Sequence, residues 1–215
     1  MLLRIGQCGK TGDDDDTRYL DRPTSCHHDI EAREVFVSDG YGNHRVIAFN
    51  SDTGRFTRMW GAYGKQPSSL SPEEGFKTAV HKIARGPNGK FYVADRTGCK
   101  IQEFEVTSDS VRYTREVLVA PGTMVLTTGS VWDIAFSPDG RFLYVADGAN
   151  FRIWSIDLDD LTVLGSTSVT SEHENDVNRP VHFTLVHRFA VEPNGDLLLA
   201  CVNRGLMRLK FLEIR

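Results

Sequence analysis

The 215-residue chain predicts an all-β fold of the β-propeller type, on three observations. One strand–turn–strand unit recurs four times. Its turns are rich in Gly, Asn and Asp. No segment shows the 3.6-residue apolar period of an amphipathic helix. The units are VFVSDGYGNHRVIAFN (35–50), FYVADRTGCKIQEFEV (91–106), LYVADGANFRIWSIDL (143–158) and LLLACVNRGLMRLKFL (197–212). Asp39, Asp95, Asp147 and Cys201 hold equivalent places, so the repeat steps by 56, 52 and 54 residues.

Each unit extends on both sides of its core pair. An apolar run precedes it in the later three: VHKIA from Val80, VWDIAF from Val131 and VHRFAV from Val186. The turns that follow contain PNG, PDG and PNG, where Pro presets φ and Gly takes the left-handed position. In the first unit PTSCHHD replaces the apolar run and its turn lacks Gly. A fourth run follows the pair, RFTRMW from Arg55, then 111–119 and 161–166. The predicted blades are four-stranded antiparallel meanders over about 24–60, 80–119, 131–166 and 186–215, in a single domain. The last unit has three strands, and residues 1–5 read as an extra strand that could complete it. Without that closure the chain would be an open arc with apolar end faces, which favours self-association.

Composition narrows the function classes. Net charge is −4 and no basic stripe appears, which excludes general nucleic-acid binding. No run approaches 18 apolar residues, so no membrane-spanning helix is expected. Met1-Leu2-Leu3 leads straight into Arg4, giving no signal-peptide pattern, and the compartment stays open. Cys8, Cys26, Cys99 and Cys201 lack CxxC spacing and read as scattered thiols. The acidic run Asp13–Asp16 reads as a solvated loop, and Trp60, Trp132 and Trp154 as blade-packing aromatics.

The runs DGYGNHRVIAF, RFTRMWG, VHKIA, YVADRTGCKIQEF and VHRFAVEPNGDLLLACVNRGLMRLKF resemble NHL repeats. More closely, they resemble the catalytic core of the peptidyl-α-hydroxyglycine α-amidating lyase family and related bacterial NHL proteins. The resemblance covers nearly the whole chain. It implies a six-bladed propeller, of which four blades are visible, with zinc held in the channel by three histidines. Two of those positions match, His81 and His187. It also implies a catalytic tyrosine at Tyr41 and a catalytic, substrate-binding arginine at Arg96. The family's first histidine and a further arginine lie in blades without counterpart here, and Arg188 stands where the family has an acid.

The residues themselves suggest related chemistry. His81 and His187 share one offset in their repeats, which points both toward the channel as a metal pair, with His27 or His28 as candidates for a third ligand. Tyr41 beside Arg45 and Arg96 would bind a small carboxylate or a peptide C-terminus. A phenol ordinarily titrates near about pH 10, so it needs such a cation or a metal to act as a base. The repeat aspartates are too regular to be catalytic and are expected to cap turns. Two functions follow: a zinc-dependent carbon–nitrogen lyase releasing a peptide amide and glyoxylate, or a non-catalytic binding or scaffold propeller.

Overall fold

The computed structural model describes residues 3–125, 128–168, 185–202 and 205–210. It contains four antiparallel sheets, each a meander in chain order. Blade 1 is β1 (Ser25–Asp29), β2 (Glu34–Asp39), β3 (Arg45–Asn50) and β4 (Phe56–Trp60). Blade 2 is β5 (Val80–Arg85), β6 (Phe91–Asp95), β7 (Lys100–Val106) and β8 (Val111–Leu118). Blade 3 is β9 (Asp133–Phe136), β10 (Phe142–Asp147), β11 (Arg152–Asp157) and β12 (Val163–Ser168). Blade 4 is β13 (Val186–Val191), β14 (Leu197–Cys201) and β15 (Gly205–Leu209) among the described residues. Short 3₁₀ turns are the only helical pieces among these residues, as the all-β propeller reading expects.

The innermost strands β1, β5, β9 and β13 pack side by side in that order. Alternate residues of each strand face opposite ways, so every blade offers one apolar face to each neighbour. Phe36, Val46, Ala48 and Trp60 of blade 1 meet Ile83, Phe91, Val93 and Phe104 of blade 2. Tyr92, Ala94 and Ile101 then meet Leu143, Val145 and Ile156 of blade 3. Ala146 and Ile153 meet Phe189, Leu197 and Leu199 of blade 4. These buried aliphatic and aromatic side chains each contribute about 1.5–3 kcal/mol, which makes the seams the main stabilising element. Arg115 laces blades 2 and 3 further, bonding the buried Glu103 through Nε and Nη2 and the Asp159 carbonyl through Nη1.

The first unit reaches its expected four strands by different means, and one expectation about the N-terminal residues changes. Residues 24–29 lack an apolar run, yet Ser25–Asp29 pairs fully with β2. The missing turn Gly is replaced by Arg33 at φ 55, and Asp29 Oδ1 accepts the Ala32 N–H to hold the turn. The strand expected over 1–5 does not form over residues 3–5, the part that is described. Nor do these residues reach the last blade. Ile5 and Leu20 pack instead on Val37, Ile47 and Phe49, the face of blade 1 turned away from blade 2. Burial on this larger apolar face outweighs what a lone edge strand could gain by pairing.

Candidate functional site

His81 and His187 both sit at irregularities in their innermost strands. The β5–β6 register shifts between Val80 and Lys82, and the β13–β14 register between Val186 and Arg188. Each histidine is thus the extra residue of a bulge, a device that re-aims a side chain out of the ladder. The two rings converge, with centroids 5.1 Å apart. Trp132, at the same offset in blade 3, completes the group, its ring 5.8 Å from His81 and 5.7 Å from His187.

Tyr41 and Arg96 come from the rim turns of blades 1 and 2. Arg96 Nη1 donates to Tyr41 Oη at 3.1 Å, and Tyr41 Oη lies 3.2 Å from His81 Nε2. On its other side His81 Nδ1 meets the Trp132 carbonyl, which can only accept. Nδ1 therefore carries the proton, and Nε2 accepts from the tyrosine hydroxyl. A directed chain results: Arg96 to Tyr41, Tyr41 to His81, His81 to the backbone of blade 3. The Arg96 guanidinium also lies over the Tyr41 and Trp132 rings, 5.3 and 4.8 Å from their centroids. Burial, aided by the Arg188 charge, pushes the His81 imidazole down to about 3, and the same two causes lower His187. Both rings are neutral at ordinary pH.

Four sequence-derived site residues therefore meet: Tyr41, His81, Arg96 and His187. Arg45 does not. Its side chain is fully buried, and its guanidinium bonds Asp39 and the carbonyls of Asp14, Asp16 and Tyr19. It is spent on anchoring the N-terminal segment to blade 1, with no donor left for a carboxylate. His27 packs edge-on against Phe91 in the first seam and His28 is exposed, so neither joins the imidazole pair. Trp132, read from the sequence as a blade-packing aromatic, also lines the site, and Arg188, noted only as standing where the family has an acid, lies beside it.

The acidic run is likewise a folded anchor. Asp13 Oδ1 accepts the N–H groups of Asp15 and Asp16, and Asp14 bonds the His44 N–H. The repeat aspartates accept backbone N–H groups, as turn caps do. Asp39 Oδ1 takes that of Asp21, Asp95 Oδ1 those of Lys77 and Gly98, and Asp147 Oδ1 that of Asn150.

The donor set suits zinc in part. Two imidazoles on one tetrahedral ion stand about 5 Å apart between centroids, and a ligating histidine usually gives its second nitrogen to a carbonyl. His81 and His187 meet the first condition and His81 the second. The third donor is the weak point: among the described residues no three His, Cys, Asp or Glu side chains converge. Tyr41 Oη is the polar atom beside the pair.

Fold and site together define a β-propeller with a cluster of imidazole, phenol and guanidinium where its innermost strands converge. No family model matches the chain. It is 29% identical over 202 residues to mouse peptidyl-glycine alpha-amidating monooxygenase, covering 92% of this chain and 19% of the mouse protein. The chain thus spans about a fifth of the length of the curated relatives it matches. Solved structures match by fold alone. Kuenenia stuttgartiensis hydrazine synthase superposes with a TM-score of 0.59 at 16% identity, over 90% of this chain and 44% of that one. The WD40 β-propeller domain of Doa1 gives 0.57 at 11%, over 86% and 49%.

Proposed function

We propose that this chain carries the site of a peptidyl-α-hydroxyglycine lyase, or of a close descendant of one. The reading rests on the hydrogen-bonded chain Arg96–Tyr41–His81, with His187 against it. The similarity to the amidating enzymes over 92% of the chain supports it. Arg96 would take the substrate carboxylate, using N–H groups other than the one given to Tyr41. Trp132 and Tyr41 hold that guanidinium between their rings and so limit its freedom. Tyr41, in its phenolate form, would receive the proton of the substrate hydroxyl. As the carbonyl of glyoxylate forms, the C–N bond breaks, and the proton passes to the departing amide nitrogen. Zinc on His187 and on His81 Nε2, in place of the Tyr41 hydrogen bond there, would supply Lewis-acid polarisation of the substrate oxygens.

A second reading has its own support. With two imidazoles rather than three, the site would bind a peptide C-terminus without cleaving it. One experiment separates them. Chelator-stripped protein is reloaded with zinc, given a peptidyl-α-hydroxyglycine, and assayed for glyoxylate. The lyase reading expects release that Tyr41→Phe abolishes while substrate still binds, because only the proton-transferring oxygen is lost. Binding without glyoxylate in the wild type would leave the second reading, and undiminished turnover in Tyr41→Phe would remove the tyrosine from the chemistry.

A further inference from the structure

Arg188, the residue after His187, reaches across the axis to every other blade. Its Nη1 donates to Asp133 Oδ1 of blade 3 at 3.2 Å and to the His81 carbonyl of blade 2 at 3.3 Å. Its Nη2 donates to the Thr24 carbonyl of blade 1 at 2.5 Å. Asp133 is buried and is committed from the other side as well. Its Oδ2 accepts the Phe189 N–H at 3.0 Å, and Lys82 Nζ lies 3.4 Å from Oδ1. One carboxylate therefore grips β13 twice, at the Arg188 side chain and at the next backbone N–H.

The apolar seams do not do this work. They join blades 1 and 2, 2 and 3, and 3 and 4; among the described residues no apolar cluster joins blade 4 to blade 1 or 2. The seam to blade 3 sets the distance of blade 4 from its neighbour. It leaves the approach of β13 to β5 to polar contacts near the axis, and Arg188 supplies these on both sides of His81. A planar guanidinium with fixed donor directions sets an angle that a flexible ammonium cannot.

We propose that Arg188 is a positioning residue, whose guanidinium holds the bulge of β13 so that His187 stands against His81. This rests on the reading of the two histidines as one site. Its test reads the ring arrangement first, without metal or substrate. In the wild type, nuclear Overhauser contacts should appear between the ring protons of His81 and His187. Arg188→Met should lose them while keeping those between His81 and Tyr41, which do not pass through blade 4. Arg188→Lys can satisfy Asp133 but not both carbonyls, and should restore them in part.

Zinc affinity, measured by competition with a chromogenic chelator, should fall about 10–100-fold in Arg188→Met, the usual cost of losing an outer-shell partner. Arg115→Met, which cuts a lacing far from the axis, is the control for general loosening and should leave the ring contacts intact. If Arg188→Met does not fold, Asp133→Asn weakens the same anchor while keeping a side chain of equal size. Persistence of the His81–His187 contacts in Arg188→Met, or in Asp133→Asn where Arg188→Met does not fold, would overturn the proposal. A wild type that shows the contacts but takes up no zinc would defeat the metal reading and leave the role of Arg188 standing.

Discussion

Two turns carry the rim of the site, and they solve one electrostatic problem in opposite ways. In blade 1, Asp39 is fully buried and faces the fully buried Arg45 at 3.1 Å, with Asn43 Nδ2 on the same oxygen at 2.8 Å. In blade 2, Asp95 occupies the equivalent place and its Oδ2 has no hydrogen-bond partner among the described residues. Directly opposite Asp95 in the hairpin, where blade 1 has Arg45 opposite Asp39, blade 2 has Lys100, whose Nζ donates to the Tyr63 hydroxyl and faces Glu116 instead. Blade 3 takes a third course: Trp154 Nε1 and Asn150 Nδ2 donate to Asp147 Oδ2. The repeat thus fixes where a carboxyl group sits and which backbone N–H groups it accepts. Whether that group is a charge is decided by one or two residues outside the shared pattern. Burial raises Asp95 to about 6, outweighing the Lys77 and Gly98 N–H groups and the Lys100 charge that pull it down, so near neutrality it lies close to the boundary between acid and anion.

Breaking blade 1's arrangement should have the largest effect. Arg45→Met leaves Asp39 as an uncompensated buried charge and frees the backbone of residues 14–19. A loss of about 3–5 kcal/mol is expected, read as a lowered denaturation midpoint. A loss below about 1 kcal/mol would mean that the Asp39–Arg45 pair and its anchoring bonds contribute little to stability.

Asp95→Asn sharpens the contrast and should act with the opposite sign. Asp95 binds its proton more tightly folded than unfolded, where its ordinary value is 3.8. The folded state is therefore favoured at low pH, and stability is lost as pH rises from about 4 through about 6. Asparagine keeps an acceptor for the Lys77 and Gly98 N–H groups and cannot ionise. Relative to the wild type it should gain on the order of 2–3 kcal/mol between pH 4 and pH 8. Parallel stability–pH curves for the two proteins would show that Asp95 does not titrate in this window.

The smallest effect should come from the turn residue itself. Tyr41→Phe removes a hydroxyl that links the two rims, from Arg96 to His81, at a cost of about 0.5–1.5 kcal/mol in thermal melts. A cost no larger than that of a surface change would mean that the link does not stabilise the joined rims.

Much of this was legible in the sequence, for identifiable reasons. The blades followed from the repeat spacing, because each unit must bury two apolar faces and the alternation of residues records both. His81 and His187 followed from their common offset, and Tyr41 and Arg96 from their nearness to the repeat aspartates. Arg45 was misplaced because an arginine near a turn reads as exposed. Its place directly opposite Asp39 in the hairpin held the better clue, since cross-strand neighbours of opposite charge pair. The bulges that turn the histidines inward left no mark in the residue pattern, because a one-residue slip in register looks like any other step of the strand. The path of residues 3–20 was equally hidden: a few apolar side chains between acids do not say which surface they will cover.

That covering has a directional result. A unit with two open, matching faces can add copies head to tail without limit, as a filament does. Here Ile5 and Leu20 occupy the free face of blade 1, while Leu198 and Leu206 stay exposed on the far face of blade 4. Among the described residues the two end blades are therefore unlike: one apolar face is capped from within the chain and the other is not, so the matching pair of faces that such stacking needs is missing.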